Sequence, residues 1–519
     1  MKMVCSFRVC WPALLLLSVV SFCAKAQEAP MTDADWRKDI DQLEQIIRET
    51  HPDPFVAVSE ADFDAAVDSL KQQVPGLSPP EIFIGMEALV GMLNDGHSGM
   101  VSTFTYPTVD DAEPRSAPRP ELSLSSLPVK FNSFADGVFI TAGTTQYADH
   151  IGKKLVSVNG VSVQEAISKI NDATHYDNEY SATSIAMSYL TSPSAHAGLG
   201  FGAAGKTLLV LETSDGNTQS VELEPLGVGP VAWQGYDFRN NTGANDDLKC
   251  GPERQYCQFY LAKKNIVYVR IDAIANNDDY PLATFMREAK DLAERRNSRI
   301  VIDLRDNPGG TGDYNRSILH AILQSAELNQ YGRSFVLISR RTFSAAQLLV
   351  SSLEFHARVI FVGQPTGARP THFGDAEMFR LEKSSLGVRI STVKHSSPIP
   401  IDRRQSTSPH YAAPFSASDH FTGRDPALEF INAAPREIAV MDLAEHSLRE
   451  GGGFAFYYIL IKELGAPDAK KHYYADDVLR LAEALVAEGD ADAASMALQI
   501  ASFVYRNDNR FGEALARLQ

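Results

Sequence analysis

The stretch from Ile266 to about Gly363 constrains the fold most, because strand-like and helix-like patterns alternate there with short joints. Four apolar strand segments are separated by helical segments, and the strands read IVYVRIDAI, RIVIDL, SFVLISR and RVIFVG. This alternation predicts an α/β core with a parallel sheet buried on both faces and right-handed crossovers. Ligands of such sheets sit beyond the carboxyl ends of the strands. Functional residues are therefore sought in the turns that follow the strands.

Length and charge limit what the whole chain can be. With 519 residues, the chain is too long for one compact core, and two to four domains are expected. Its formal net charge of −17 would repel a phosphate backbone and disfavours docking on an anionic membrane. We therefore expect a substrate or partner of positive or neutral character and no nucleic-acid partner.

The first residues are typical of a secretory signal. Lys2 and Arg8 precede an apolar stretch from Trp11 to Cys23, which Ala24-Lys25-Ala26 follows. A charged start, a short apolar centre and a small-x-small end predict cleavage after Ala26 and a periplasmic or secreted protein. The apolar run is shorter than the about 20 residues of a membrane span. An uncleaved anchor and a lipoprotein modified at Cys23 are the alternatives, and no membrane span is expected after cleavage.

Two cysteines, Cys250 and Cys257, remain beyond the signal. An even pair that flanks a Gly-Pro turn in an exported protein predicts a small local disulfide. The neighbourhood offers too few further ligands for a metal ion, and no cofactor motif is found.

Periodicity divides the rest of the chain. We expect a signal peptide (1–26), an N-terminal helical domain (27–105), a linker (106–125), a β-rich domain (126–230), the core (231–434) and a helical tail (435–519). The β-rich domain resembles a PDZ module, with GKKLVSVNGVSVQEAI as its most recognisable part, and a plain β-sandwich insertion is the alternative. The tail resembles a tetratricopeptide-type hairpin, and a capping role or contacts with a protein partner are its expected functions.

Two turns at neighbouring strand ends carry the chemistry. The first, DLRDNPGGTGD, follows RIVIDL, and Gly309 and Gly310 allow positive φ and close approach of their N–H groups to a bound group. A tight joint or an anion-binding turn is the alternative, and no Lys-Ser/Thr follows, so a P-loop is excluded.

The second turn, SRRTFSAAQ, places Ser344 at the start of a helix. A serine there is commonly an N-cap. It is also an exposed hydroxyl beside free N–H donors, here that of Ala345, which could stabilise an oxyanion. Together, the two turns offer a nucleophile and backbone donors at one edge of the sheet, as acyl transfer requires.

The order of these motifs resembles a known family. DLRDNPGG, then TFSAAQ about 35 residues later, then VGQPTGARPTHFGD and TGRDPALEFI resemble the tail-specific or carboxyl-terminal-processing proteases, family S41. LNDGHSGM and the PDZ-like stretch extend the resemblance over most of 33–434. The resemblance implies a ClpP/crotonase-like core, Ser344 as nucleophile, and an oxyanion hole formed by Gly309 or Gly310 with Ala345.

The general base departs from the usual pattern of the family. Processing peptidases use a lysine 25 residues after the serine, and Arg369 occupies that position here. Arginine stays protonated and cannot accept the serine proton. The tricorn-core-like branch takes a histidine from the helical region instead, and His97 matches its place. The alternative is a histidine that merely ends a helix beside Gly96.

Several supporting residues stay open. His372 is a rival base or a groove-lining residue, and Asp402 is a candidate orienting carboxylate, with Asp375 and Glu377 as further choices. The leading hypothesis is an exported serine peptidase that uses Ser344 and His97. Arg369 and the poorly defined carboxylate favour the alternative, a catalytically impaired peptide-binding or scaffold protein. An esterase or a carrier of a small apolar ligand is a third hypothesis.

Overall fold

The computed structural model describes residues 30–101, 125–227, 231–235, 255–399, 402–465 and 473–518. The predicted signal peptide and nearly all of the predicted linker lie outside these ranges. Cys257 is disulfide-bonded, but Cys250 is not among the described residues, so their pairing stays a prediction. Within the described ranges, no helix has both the length and the apolar character needed to span a membrane.

Three helices and a short strand form the N-terminal region: α1 (Asp33–Thr50), α2 (Glu60–Gln73), α3 (Pro79–Gly91) and β1 (Gly99–Val101). The Thr32 hydroxyl caps α1, and Asp35 bonds back to the Thr32 N–H. The Ser59 hydroxyl caps α2, and α3 begins at a proline, which suits the first helical position. The helical character predicted for this region is confirmed, and the apolar faces of the three helices form one core.

The β-rich region contains β2 (Val129–Phe134), β3 (Gly137–Thr144), β4 (Lys154–Val158), β5 (Val161–Ser162), β6 (Thr207–Glu212), β7 (Thr218–Leu223) and β8 (Trp233–Gly235). Its helices are α4 (Val163–Asn171), α5 (Glu179–Leu190) and α6 (Pro193–Gly198). The main strand order is β2-β3-β4-β6-β7, which leaves β2 at an edge beside α5. The periodicity analysis did not predict α5 and α6, although Asn178 caps α5 through its side chain.

The core sheet has the order β18-β13-β12-β11-β10-β9. Its strands are β9 (Tyr256–Leu261), β10 (Ile266–Ile271), β11 (Arg299–Asp303), β12 (Ser334–Ile338), β13 (Ile360–Gly363) and β18 (Tyr411–Ala412). Strands β10 to β13 pair in parallel, as predicted, whereas β9 is antiparallel to β10. Because β11 and β12 are neighbours, the turns that follow them lie side by side.

Helices cover both faces of this sheet. One face packs on α7 (Leu282–Arg296), α8 (Asn315–Leu323) and α9 (Ala345–His356). The other packs on α11 (Pro426–Ala433), which follows α10 (Ala417–Thr422), and on α12 (Val440–Gly451), α13 (Gly453–Leu464), α14 (Ala475–Glu488), α15 (Ala491–Val504) and α16 (Arg510–Leu518). The tail therefore completes the core, because an all-apolar parallel sheet needs cover on both faces.

Two hairpins join the core to the N-terminal helices. They consist of β14 (His372–Gly374) with β17 (Val393–His395), and β15 (Glu377–Arg380) with β16 (Gly387–Ile390). Strand β1 pairs antiparallel with β16. The fully buried Asp39 of α1 accepts hydrogen bonds from the N–H groups of Lys383 (2.9 Å) and Ser384 (2.7 Å) in the β15–β16 turn. The segment that carries His97 is thereby fixed to the core.

Replacing Asp39 should loosen this junction. Asp39→Ala leaves two buried N–H groups without an acceptor, and we expect it to lower the free energy of unfolding by about 2–4 kcal/mol. Asp41→Ala is the matched control, because Asp41 lies on the same helix, is 60% exposed and pairs only with Lys71 among the described residues; its cost should stay below about 1 kcal/mol. Denaturant unfolding followed by circular dichroism measures both, and equal losses would contradict the role of Asp39.

Candidate active site

The glycine turn after β11 offers one free backbone donor. Gly309 and Gly310 have φ of 112° and 132°, which only glycine adopts readily. The Gly309 N–H donates to Asn307 Oδ1 (2.9 Å), so that amide is already used. Within the described part of the chain, the Gly310 N–H has no acceptor. Of the two glycines, Gly310 is therefore the one whose amide is available to an oxyanion.

Ser344 has a strained backbone conformation. Its φ of 50° and ψ of −126° fall outside the regions that non-glycine residues favour. Its side chain makes no capping hydrogen bond, so the N-cap alternative does not describe it. Ser344 is partly exposed, and nucleophilic serines of α/β hydrolases also lie on a sharp strand-to-helix turn.

The two turns are in contact. A Cβ atom placed on Gly309 would lie 2.6 Å from Ser344 Cβ and 2.9 Å from the Ala345 nitrogen. The Phe343 N–H donates to Asn307 O (3.0 Å), and the Thr342 hydroxyl donates to Leu304 O (2.8 Å). The Ala345 N–H, at the first position of α9, has no acceptor among the described residues. Ser344 thus lies where the two turns meet, and each turn has one N–H group without an acceptor among the described residues.

His97 lies beside the serine turn. Its ring stacks on Phe343, with the ring centroids 4.6 Å apart, and lies 5.5 Å from the ring of His372. Neither ring nitrogen has a hydrogen-bond partner in the described structure, so no hydrogen bond joins His97 to Ser344. Burial, reinforced by nearby His372, lowers the pKa of His97 to about 3. The imidazole is therefore neutral at ordinary pH and can accept a proton.

Asp95 holds the His97 loop in place. This fully buried carboxylate accepts hydrogen bonds from the His97 N–H (2.9 Å) and from the hydroxyls of Ser98 (2.5 Å) and Ser391 (2.6 Å). Its Oδ1 lies 4.0 Å from His97 Nδ1. Burial alone would raise the pKa of Asp95, but the hydrogen bonds and the nearby histidines lower it below its usual range. Asp95 is therefore a fixed negative charge beside the imidazole.

Asp177 reaches the same loop from the β-rich region. Its Oδ1 accepts a hydrogen bond from the Gly96 N–H (2.8 Å), and the residue is 1% exposed. The next residue, Asn178, donates through its side chain to Thr366 O (3.1 Å) and Gln405 O (2.6 Å) of the core. Burial, and to a lesser extent the Asp95 carboxylate, raise the pKa of Asp177 to about 7. Three parts of the chain therefore meet behind His97.

Arg369 has a structural part in this arrangement. Its guanidinium donates to Asn94 O (3.0 Å) and to Gln405 Oε1 (2.9 Å). Its carbonyl oxygen lies 2.8 Å from His372 Nδ1. Arg369 thus occupies the position of the lysine base of processing peptidases, and its hydrogen bond to Asn94 O holds the loop that carries His97.

The remaining candidates lie in different surroundings. His372 Nε2 has no partner among the described residues, and burial lowers the pKa of His372 to about 4. Asp402 is not brought to either histidine, because its carboxylate is bound by Arg404 (2.8 Å) and by the Tyr458 hydroxyl (3.3 Å). Asp375 faces His395 at 3.5 Å, and Glu377 is exposed on β15. Asp402 therefore neutralises an arginine instead of orienting a base.

Two residues of this site have no recognisable signal in the sequence. Asp177 belongs to another domain, 80 positions after His97, and nothing in its neighbourhood marks it. Phe343 reads as an ordinary apolar residue of the turn. Asp95 was visible beside His97, but its contacts with Ser98 and Ser391 depend on the pairing of β1 with β16.

A cavity of about 1100 Å³ lies next to the two turns. Edge strand β2 and helix α5 line one side of it, and the starts of both turns, including Asp306 and Arg340, line another. Ser344 and His97 are not among its lining residues. The Arg340 guanidinium donates to Ser133 O of β2 (2.9 Å), which links the serine turn to the β-rich region.

Comparison with known proteins agrees with this geometry. A model described as peptidase family S41 matches residues 265–334, which run from β10 to the first residue of β12 and include the glycine turn. This segment of the core is therefore similar to peptidase family S41. No curated protein matches the chain.

Two solved structures of mature CPAF share the α/β fold of this chain. Mature CPAF complexed with lactacystin has 15% identity and a TM-score of 0.53, with 77% of this chain and 97% of that chain covered. Mature CPAF alone has 15% identity and a TM-score of 0.52, with coverage of 81% and 98%. The photosystem II D1 C-terminal processing protease has 14% identity and a TM-score of 0.36, with coverage of 78% and 99%.

The buried Asp177 carboxyl predicts a pH-dependent stability. Its pKa is raised on folding, so the native state keeps a proton that the unfolded state loses, and its contribution is lost as pH rises toward 7. Asp177→Asn cannot titrate, and the stability of this variant relative to wild type should increase between about pH 4 and 7, by up to about 1.4 kcal/mol per pH unit. Thermal unfolding at several pH values measures this difference.

The control for this prediction is Asp172→Asn, which changes an exposed carboxylate of the same connection between α4 and α5. Asp172 is exposed to solvent, so the difference in stability between Asp172→Asn and wild type should not vary with pH. If the difference in stability between Asp177→Asn and wild type does not change with pH, the description of Asp177 as a desolvated acid is contradicted.

Proposed function

We propose that this protein is an exported peptidase that hydrolyses peptide bonds through an acyl-enzyme on Ser344. The observation that carries the proposal is the strained, uncapped Ser344 in contact with Gly309, with the free N–H groups of Gly310 and Ala345 on either side. Strain of this kind at a serine is retained where the surrounding structure uses it. Each such donor is worth about 3–4 kcal/mol to a tetrahedral oxyanion.

The reaction follows from these positions. Ser344 Oγ attacks the carbonyl carbon of the substrate, and its proton passes to His97. The carbonyl oxygen becomes an oxyanion, which the N–H groups of Gly310 and Ala345 bind. The carbon–nitrogen bond then breaks, and the imidazolium returns its proton to the leaving amine. A water molecule, deprotonated by His97, attacks the acyl-enzyme and releases the acid and free Ser344.

His97 must turn before it can accept this proton. Its ring is stacked on Phe343, and neither nitrogen is hydrogen-bonded. Catalytic hydrogen bonds are commonly long in ligand-free enzymes and shorten when substrate binds. The fixed charge of Asp95 stabilises the imidazolium as it forms, which compensates for the low basicity of the buried ring.

The cavity supports a peptide as substrate. We propose that the β-rich region is a PDZ-like domain and that the core is ClpP/crotonase-like. Edge strand β2 has a free side next to α5, and a peptide can add there as a further strand or present its end. The same cavity reaches Arg340, four residues before Ser344, so a peptide held there extends toward the nucleophile.

Export and protein contacts complete the proposal. The predicted signal peptide directs the chain to the periplasm or the medium, where a disulfide between Cys250 and Cys257 would persist. The outer surface of α12–α16 is available to a protein partner.

A second candidate is a catalytically impaired peptide-binding or scaffold protein of the same fold. It is favoured by the low basicity of His97 and by the absence of a hydrogen bond between His97 and Ser344 among the described residues. In that case Phe343 holds the imidazole away from the serine permanently.

Ser344 should react with an active-site serine probe. Wild type is expected to be labelled, and Ser344→Ala should lose labelling and at least about 10³-fold in kcat. Ser352→Ala is the matched control, because Ser352 lies two turns along α9 and its hydroxyl only donates to Leu348 O. Equal labelling of wild type and Ser344→Ala, detected by mass spectrometry, would remove Ser344 as the nucleophile. Labelling of neither protein would favour the scaffold candidate.

The two neighbouring histidines should differ in their effect on turnover. His97→Ala removes the base and should lower kcat by about 10²–10⁴-fold with little change in KM, whereas His372→Ala should lower it by less than about 10-fold. Steady-state hydrolysis of a fluorogenic peptide measures both. A larger loss in His372→Ala than in His97→Ala would reverse the assignment of the base.

A further inference from the structure

Three side chains with atoms that can bind a metal ion lie close together, and one of them is the proposed base, His97. One carboxylate oxygen each from Asp95 and Asp177 and a ring nitrogen of His97 lie within 4.8 Å of one another. The three residues are 0%, 1% and 9% exposed, so water does not readily reach their donor atoms. They come from two different domains that meet behind the serine turn.

Most of the candidate ligand atoms of His97 and Asp177 have no hydrogen-bond partner among the described residues. Within the described part of the chain, both nitrogens of His97 and Oδ2 of Asp177 lack a hydrogen-bond partner. A buried polar atom without a partner costs about 1–3 kcal/mol. The unpaired atoms of His97 and Asp177 therefore point to a bound group that interacts with them.

The set also brings two acidic side chains together. One carboxylate oxygen of Asp95 lies within 4.8 Å of one of Asp177, and both residues are buried. Two buried carboxylates this close need either a proton or a cation between them. One nitrogen and two oxygens form a donor set that suits Zn²⁺ and similar divalent ions.

We propose that Asp95, His97 and Asp177 bind a divalent transition-metal cation, with Zn²⁺ as the expected ion. A tetrahedral Zn²⁺ with bonds of about 2.0–2.2 Å holds its ligand atoms roughly 3.3–3.6 Å apart. The ligand atoms lie within 4.8 Å of one another, so they must move closer together when the cation binds.

The groups that orient these ligands are already in place. The Ser98 and Ser391 hydroxyls and the His97 N–H bond to the Asp95 carboxylate, and the Gly96 N–H bonds to Asp177 Oδ1. The Arg389 guanidinium fixes His97 O at 2.6 Å. Metal sites depend on such outer hydrogen bonds to hold their ligands.

A cation bound at this site inhibits the enzyme reversibly. A cation that takes the lone pair of His97 removes the base that Ser344 needs, so Zn²⁺ inhibits by competing with proton transfer. Only this inhibition rests on the proposed function, because cation binding depends on the three donors alone.

Equilibrium dialysis of the full chain against Zn²⁺ tests the binding. The Ser344→Ala variant serves as the parent, since it cannot digest itself, and it should retain one tightly bound Zn²⁺ per chain at neutral pH. Adding Asp177→Asn should weaken this binding by at least about 10–100-fold. His395→Gln is the matched control, because His395 belongs to the same histidine cluster but pairs with Asp375, and binding should be unchanged.

The outcomes separate the two proposals. The site is overturned if the parent retains no stoichiometric Zn²⁺, or if Asp177→Asn binds as tightly as the parent while its circular dichroism spectrum is unchanged. Should Asp177→Asn fail to fold, His97→Gln replaces it with the same expectation. In wild type, peptidase activity should fall with a midpoint equal to the dialysis constant and return with a chelator. Binding without inhibition supports the site and contradicts His97 as the base.

Discussion

The contact between the turns after β11 and β12 is the constraint on which the site depends. Parallel pairing of these strands brings the turns together, and the Phe343 N–H bond to Asn307 O fixes their spacing. Glycine at position 309 is required because any side chain would collide with Ser344. The strain at Ser344 is held by this packing, so the proposed nucleophile and the amides of Gly310 and Ala345 form one rigid unit.

The proposed base, His97, is positioned by residues from several parts of the chain. His97 is held by Asp95 from its own loop, by Asp177 from the β-rich region, and by Arg369 and Arg389 from the core. No single domain could position the imidazole alone. Activity is therefore sensitive to how the domains pack, whereas the oxyanion site is built within the core. The arginine at 369 fits this scheme, because a fixed cation is better suited to clamping a carbonyl than a flexible lysine.

Much of the fold was predictable from the sequence, because the apolar runs of β10 to β13 and the helices between them have clear periodicity. The adjacency of Ser344 and Gly309 also followed from strand order. The orienting carboxylates were harder to find. Asp402, the residue expected to orient the base, is bound by Arg404, and the carboxyl groups near His97 belong to Asp95 and Asp177. Such pairings arise from contacts between domains, which leave no local pattern in a single sequence.

The helices from Val440 onward have a consequence for biosynthesis. They cover the face of the sheet that includes Phe335, Leu337 and Val362, so a nascent chain that stops short of them leaves these side chains in water. The strands cannot pair stably until that cover has emerged, and the serine turn cannot take its strained shape before the strands pair. The proposed serine site is therefore completed late in synthesis, after the covering helices have been made.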